Sequence, residues 1–151
     1  DEIVGLQLGA NYTVFIPTEA AMEQAVVDGY LPGTVTNGVF TKFNYNPSSS
    51  TDKDAVARFI YFHILNGIAI APDGKKGANG KSFPTLLKNA NGDVLNLITF
   101  NQPGNLTIED NAARTAHVVP PNNNSYFPAT SDYLGTRTLF HQIDNYLRYT
   151  Y

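Results

Sequence analysis

The chain has 151 residues, of which 42% are hydrophobic and 15% are charged, and its formal net charge is −3. This length predicts one domain, which buries roughly 70% of its unfolded surface and needs no disulfide or structural metal. The small negative charge argues against a nucleic-acid-binding surface, and no apolar run approaches the roughly 18 residues that span a bilayer. The absence of cysteine suits a reducing cytosol and an exported bacterial domain equally, so it leaves the compartment open.

The first predicted elements are a buried strand and a helix that follows it directly. Tyr12 to Ile16 combines β-branched and aromatic residues, and Pro17 ends the strand because proline has no N–H for the ladder. Thr18 is the predicted helix N-cap, Glu19 favours the positive end of the helix dipole, and Gly29 is the predicted stop. The apolar stripe of this helix consists of Met22, Ala25 and Val26.

The stretch from Tyr30 to Asp52 loses this periodicity and predicts a loop. Its Asn37-Gly38 pair favours a short hairpin within that loop. A second helix follows, with Thr51 as N-cap, Asp54 three residues later, and Asn66-Gly67 as its end. Its predicted apolar face consists of Val56, Phe59, Ile60 and His63.

From Ile68 onward the pattern predicts short strands separated by turns. Asn91-Gly92 indicates a hairpin, Pro120-Pro121 stops a strand, and Asn122 to Thr130 is predicted as a loop. The predicted strands are Ile68 to Ala71, Thr85 to Leu87, Val94 to Ile98, Leu106 to Ile108, Arg114 to Val119 and Leu139 to Ile143. Helices early and strands late, without an internal repeat, predict a single α+β domain over residues 1–151.

Two stretches resemble signatures of the fasciclin domain family. The first is TVFIPTEAA at 13–21, which is close to the family's T-V-F-A-P-T-N-x-A. The second is FIYFHIL at 59–65, where the family has an apolar run ending in Tyr-His-Ile-Leu. In this chain Phe62 stands directly before His63, and the tyrosine lies one position earlier.

A third stretch near the C-terminus agrees with the family in spacing. It runs from Asp132-Tyr133 through His141 to Asp144, although Arg137-Thr138 replaces the family's Asn-Gly pair. The resemblance therefore covers nearly the whole chain from residue 11 onward. It implies that the first and last signature strands, Tyr12 to Ile16 and Leu139 to Ile143, lie close together in the core.

The resemblance implies a wedge of two β-sheets flanked by helices, found outside the cell or on its surface and active in adhesion. Family members carry about two helices before the first signature, whereas only DEIVGLQLGA precedes it here. We therefore expect a domain that is truncated at its N-terminal helices and belongs to a longer, exported bacterial protein. Any contact with a membrane is expected through an anchor outside this chain, as in a surface lipoprotein.

Acid–base and metal chemistry receive little support from the sequence. His63 and His141 are predicted as hydrogen-bonded core residues rather than ligands or bases, and His117 lies in a strand and could face either way. The spacing of the three histidines predicts no metal site. The carboxylate pairs that a glycosidase would need are Asp52/Asp54 and Glu109/Asp110, and helix capping and a turn explain them better. We expect no cofactor and no enzymatic activity.

Aromatic residues in polar loops are the most suggestive surface feature. They are Phe40, Phe43, Tyr45, Tyr126, Phe127 and Tyr133. Flat rings beside asparagine are typical of protein or sugar recognition, because rings stack and amides bond hydroxyl groups. The alternative is that these rings fold back as lids on the core, and the sequence leaves both open.

The predicted function is a non-enzymatic adhesion or binding module for extracellular protein or glycan ligands. The family's adhesion positions correspond to Phe62 and His63, which we expect to be too buried for contact, and to Asp132 and Tyr133, where we place the binding site. Asp132 could instead close a turn through its own backbone. Two other functions stay open: a carbohydrate-processing accessory domain with weak hydrolase activity, and a structural spacer.

Overall fold

The computed structural model describes residues 11–70, 79–102, 105–119, 131–134 and 138–151, which form two α-helices and ten β-strands. In chain order these are β1 (Tyr12–Pro17), α1 (Glu19–Val27), β2 (Gly33–Thr36), β3 (Val39–Phe43), α2 (Ser50–Phe62), β4 (Ile64–Asn66), β5 (Lys81–Lys88), β6 (Val94–Gln102), β7 (Asn105–Glu109), β8 (Thr115–His117), β9 (Ser131–Leu134) and β10 (Thr138–Ile143). Eight strands form one sheet in the order β8-β7-β6-β5-β4-β1-β10-β9, and β2 and β3 form a second sheet. The predicted α+β class is confirmed.

Strand β1 lies inside the large sheet, between β4 and β10. It pairs in parallel with β10 over six residues, from Tyr12 opposite Thr138 to Pro17 opposite Ile143. On its other side Val14 lies opposite Ile64 of antiparallel β4. The prediction that the first and last signature strands lie together in the core is confirmed.

The large sheet curls so that its two ends approach each other. Its two halves meet where β4 pairs with β5, through Leu65 opposite Thr85. At the other side Val118, just after β8, forms a bridge with Ile143 of β10. The curled sheet and the end of α2 enclose the main core, whose largest fully buried members are Phe15, Phe62, Leu65, Ile70, Leu97, Leu106, Ile108, Ile143 and Leu147.

Helix α1 begins and ends at the predicted residues. The Thr18 hydroxyl accepts a hydrogen bond from the Ala21 N–H at 3.4 Å, which satisfies a donor of the first turn. At the other end Gly29 has a φ of +83°, a conformation that glycine adopts without steric cost. The Tyr30 N–H then reaches back to the Ala25 carbonyl at 2.8 Å, which completes a C-terminal cap.

Helix α2 differs from the prediction at both ends. Its N-cap is Ser49, whose hydroxyl accepts from the Asp52 N–H at 3.1 Å, so the predicted cap at Thr51 is wrong. The helix ends at Phe62 rather than Asn66-Gly67, because the following residues leave it to pair with β1 as strand β4. Ile60, placed on the apolar face by its spacing, is 38% exposed.

The predicted strand at Ile68 to Ala71 is also wrong for its described residues, 68–70, which form no strand. The Thr13 side chain holds this segment instead. Its hydroxyl donates to the Ile68 carbonyl at 2.7 Å and accepts from the Ile70 N–H at 3.0 Å. A threonine side chain thus supplies the partners that a neighbouring strand would have supplied.

Both predicted hairpins are confirmed. Asn37 and Gly38, with φ values of 52° and 79°, form the turn between β2 and β3, as expected for a two-residue hairpin loop. Gly92 lies in the turn between β5 and β6. The predicted loop at Asn122 to Thr130 lies outside the described residues. No helix in the described part of the chain is long and apolar enough to cross a membrane.

Candidate functional site

The helix-end pair predicted from the family position is buried. Phe62 is fully buried and His63 is 3% exposed. The His63 Nε2 atom accepts a hydrogen bond from the Leu147 N–H at 2.9 Å, so Nδ1 carries the proton and donates to the Phe59 carbonyl at 2.7 Å. Burial lowers the pKa of His63 to about 4, so the ring is neutral at physiological pH. This pair supports the fold and cannot contact a partner, as predicted.

The other two histidines occupy different environments. His141 is fully buried and its Nε2 lies 2.6 Å from the Ile70 carbonyl, which confirms the prediction of a core histidine. His117 faces solvent, and its Nδ1 lies 3.2 Å from a carboxylate oxygen of Asp144. Within the described ranges no three histidine, aspartate or glutamate side chains are grouped as a metal site would require.

Asp132 and Tyr133 lie in β9, at the end of the large sheet. Tyr133 is opposite Phe140 and Ser131 is opposite His141, so Asp132 falls between two paired residues at an irregularity of the ladder. Such bulges are common on edge strands. The segment that the alternative interpretation predicted as a turn is therefore a strand with a bulge. In the sheet β1 and β10 separate it from β4, which follows the helix-end pair.

The carboxylate pair Glu109/Asp110 serves the fold through its second member. Asp110 is 6% exposed, and one of its carboxylate oxygens accepts from the N–H groups of Ala112 and Arg114 at 2.9 and 2.8 Å. Its other oxygen accepts from the Arg148 N–H at 2.7 Å. A carboxylate engaged in this way holds a turn and the C-terminal tail, in agreement with the predicted turn role.

The aromatic residues around the β2–β3 hairpin form a cluster at the surface. The ring centroids of Phe40 and Phe43 lie 4.5 Å apart, and those of Phe43 and Tyr45 lie 5.6 Å apart. Tyr45 is 86% exposed, so it is not a lid on the core. Of the other predicted loop aromatics, Tyr126 and Phe127 lie outside the described residues, and Tyr133 lies in β9.

A cleft of about 490 Å³ opens beside this cluster, between the two helices. We call it the hairpin cleft, and its walls consist of Glu19, Met22, Leu31, Pro32, Phe43, Asn44, Tyr45, Pro47 and Val56. Six of these nine side chains are apolar. Helix α1 contributes the first two and α2 contributes the last. Phe43 is the final residue of β3, and the segments before and after the hairpin contribute the rest.

Close packing fixes the hairpin against α1 and so shapes the cleft. A Cβ atom on Gly33 would lie 2.5 Å from the Val26 side chain and 2.7 Å from the Lys42 carbonyl oxygen, so only glycine fits there. The Asn44 N–H donates to the Pro32 carbonyl at 3.1 Å, which closes the base of the hairpin. The exposed aromatic cluster is therefore carried by a hairpin that packs closely against α1.

The sequence indicated some of these residues without indicating the cleft. Met22 and Val56 were assigned to the buried stripes of their helices, and the structure leaves both half-buried on the cleft wall. Loop aromatics beside Asn44 were the available signal for Phe43 and Tyr45. Their placement between two helices depends on contacts that are distant along the chain.

No protein-family model matches this chain, and no curated protein sequence is significantly similar to it.

Proposed function

We propose that the chain is a fasciclin-like binding module that contacts extracellular protein or glycan ligands without catalysing a reaction. The observation that carries this proposal is the exposed Tyr45 ring beside an apolar cleft of about 490 Å³. Concave, mostly apolar sites with a few polar groups are typical of ligand binding. Such a module would act outside the cell or at its surface, with an anchor in another part of the protein.

Three features of the fold support the fasciclin-like assignment. The first signature forms β1 and the start of α1, the second forms the junction of α2 and β4, and the third leads into β10. The parallel pairing of β1 with β10 brings the first and third signatures together. The curled large sheet, with its two halves joined at Leu65 and Thr85, is compatible with the wedge of two sheets expected for the family.

The alternatives receive less support from the side chains. A hydrolase of the glycosidase type needs two available carboxyl groups on either side of one bond. Three backbone N–H groups occupy the Asp110 carboxylate, and Glu19 is the one carboxylate among the described residues of the hairpin cleft. A structural spacer has no need for an exposed tyrosine stacked on a hairpin.

Two surfaces compete for the ligand. The hairpin cleft is the first, because its shape and exposed ring are both defined by the structure. The bulged edge strand with Asp132 and Tyr133 is the second, because the family resemblance points to it and edge strands are available for pairing.

Binding of the isolated chain to a panel of extracellular-matrix proteins and glycans tests this proposal. We expect a captured ligand, loss of its binding in Tyr45→Ala, and unchanged binding in Asp132→Ala/Tyr133→Ala. Tyr151→Ala is the matched control, because Tyr151 is also an exposed tyrosine, at 54%, and lies away from the cleft. Loss of binding in the double variant alone would move the site to β9, and a folded chain that binds nothing in the panel would overturn the proposal.

A further inference from the structure

We infer that the hairpin cleft receives a large apolar side chain from a protein partner, and that Glu19 pairs with a lysine or arginine next to that side chain. The inference rests on the proposed binding function. It narrows the ligand from protein or glycan to a protein segment that carries a large apolar side chain next to a lysine or arginine. It depends on three properties of the cleft: its size, the apolar nature of its walls, and the position of its carboxylate.

The cleft has room for a large side chain, and its walls suit one. Its volume of about 490 Å³ lies at the lower end of the range for small-ligand sites. Leu31, Val56 and Met22 are half-buried on its walls, and each retains apolar surface that a ligand could cover. The unbranched, polarisable Met22 side chain adapts its shape to an aromatic ring.

The same walls disfavour a sugar as the buried group. A hexose carries hydroxyl groups around its ring, and each hydroxyl that loses water without a new hydrogen bond costs free energy. Among the described residues that line the cleft, only three have polar side chains: Glu19, Asn44 and Tyr45. An aromatic or long aliphatic side chain has no hydroxyl groups around it that need hydrogen bonds when they are buried. The cleft is therefore complementary to protein rather than to carbohydrate.

The carboxylate at the cleft predicts the charge of the partner residue that lies next to the buried apolar side chain. Glu19 is exposed at the start of α1, and no hydrogen bond or ion pair from the described residues engages its carboxylate. Thr18 already caps the helix, so Glu19 is not required as a cap. A lysine ammonium or arginine guanidinium beside the buried side chain would therefore find a carboxylate at the cleft, and an acidic neighbour would be repelled.

The composition of the chain allows a direct test. Met22 is the only methionine in the sequence, so labelling methionine with a ¹³C-methyl group places one resonance on the cleft wall, assigned with Met22→Leu. The chain also lacks tryptophan, so the fluorescence of a tryptophan-containing peptide reports on the peptide alone. The probes are two acetylated and amidated peptides, Gly-Trp-Lys-Gly and Gly-Trp-Glu-Gly.

We expect the lysine peptide to shift the Met22 methyl resonance and to bind about threefold or more tightly than the glutamate peptide, as an exposed ion pair allows. Glu19→Gln should bring the two affinities together. Glu23→Gln should preserve the preference, because Glu23 lies one turn later in α1 and does not line the cleft.

Three results of the peptide experiment would overturn the inference. They are an unmoved Met22 resonance at saturating peptide, equal affinities of the parent for the two peptides, and a Met22 shift that depends on protein concentration alone, which would place a second copy of the chain in the cleft. Failure of the proposed function is a separate result, because it is read from the matrix and glycan panel. A chain that captures only glycans would refute the inference and leave the binding function intact.

Discussion

Two aromatic clusters at different places in the molecule show how the same residue types take opposite roles. The hairpin cluster consists of Phe40, Phe43 and Tyr45, and the tail cluster consists of Tyr30, Phe59, Tyr146 and Tyr149. Ring spacings are similar, at 4.5 Å between Phe40 and Phe43 and 5.4 Å between Tyr30 and Tyr146. Exposure differs, because Tyr146 is 1% exposed and Tyr45 is 86% exposed.

The hydrogen bonds of the Tyr146 hydroxyl account for the difference in exposure between the two tyrosines. The Tyr146 hydroxyl donates to the Asp28 carboxylate at the end of α1, and the Arg148 Nε donates to that hydroxyl at 2.7 Å. Burial and the Asp28 carboxylate raise the pKa of Tyr146 to about 12, so the phenol stays protonated and keeps donating. Tyr146 stabilises the fold because its hydroxyl is hydrogen-bonded inside the protein. The Tyr45 ring is exposed and is available to a ligand at the surface.

Among the tests of this contrast, removing the Tyr146 ring should have the largest effect on stability. Tyr146→Ala should lower the free energy of unfolding by about 3 to 5 kcal/mol, because it leaves a cavity beside Phe59 and removes one of the hydrogen bonds that the Asp28 carboxylate accepts. Urea denaturation measures the loss. Tyr146→Phe is the control, and it should lose about 1 to 2 kcal/mol because it removes only the hydrogen bonds of the hydroxyl, to Asp28 and from Arg148, and keeps the ring. Coinciding midpoints for Tyr146→Ala and the parent would contradict the structural role of the tail cluster.

Acid should lower the free energy of unfolding through His63, which stacks on Phe59 of the tail cluster. In the folded chain burial lowers its pKa to about 4, whereas an unfolded histidine has a pKa of about 6.5. The unfolded state therefore binds the proton first, and stability falls as the pH drops from 6.5 to 4. The slope is about 1.4 kcal/mol per pH unit, for a total of roughly 3 kcal/mol. Unfolding in urea at a series of pH values measures it, and His63→Gln should lack this part of the slope.

Truncation of the same side chain at neutral pH has a somewhat smaller expected effect. His63→Ala should cost about 1 to 3 kcal/mol, since it leaves space beside Phe59 and deprives the Leu147 N–H of its acceptor. Denaturant midpoints provide the measurement. A variant as stable as the parent would show that the ring does not hold the tail.

Truncation in the hairpin cluster should have the smallest effect on stability. Tyr45→Ala is expected to change the free energy of unfolding by less than about 0.5 kcal/mol, because an exposed side chain loses little contact. The same variant should lose ligand binding. A thermal or urea midpoint well below that of the parent would show that Tyr45 belongs to the core of the hairpin rather than to a binding surface.

The contrast also explains which elements the sequence predicted. Helix α1 was predicted with both ends because its signals are local: Thr18 caps it and Gly29 permits the left-handed turn that ends it. Helix α2 follows several residues that could each cap it, and the local pattern does not distinguish Ser49 from Thr51. Its end depends on β1, because the Phe15 N–H donates to the His63 carbonyl at 2.8 Å and draws the chain into β4.

The candidate site was predictable only in part for the same reason. Aromatic residues in a polar loop suggested recognition, but whether a ring such as Tyr45 faces solvent depends on the packing of the hairpin on α1. That packing needs Gly33 to approach Val26 across the helix surface, which no local pattern reveals. Asp132 and Tyr133 were predicted from the family resemblance, and their position on a bulged edge strand required the partner strand β10.

The parallel β1–β10 pair has a mechanical consequence. A tether pulling on the chain before Tyr12 draws β1 towards its own start, and a load applied after Ile143 draws β10 towards its own end. Because the two strands are parallel neighbours, these forces slide one strand along the other, and the bonds that couple their six residue pairs share the load at once instead of opening one after another. The fold would therefore resist extension along the line that joins the start of β1 to the end of β10.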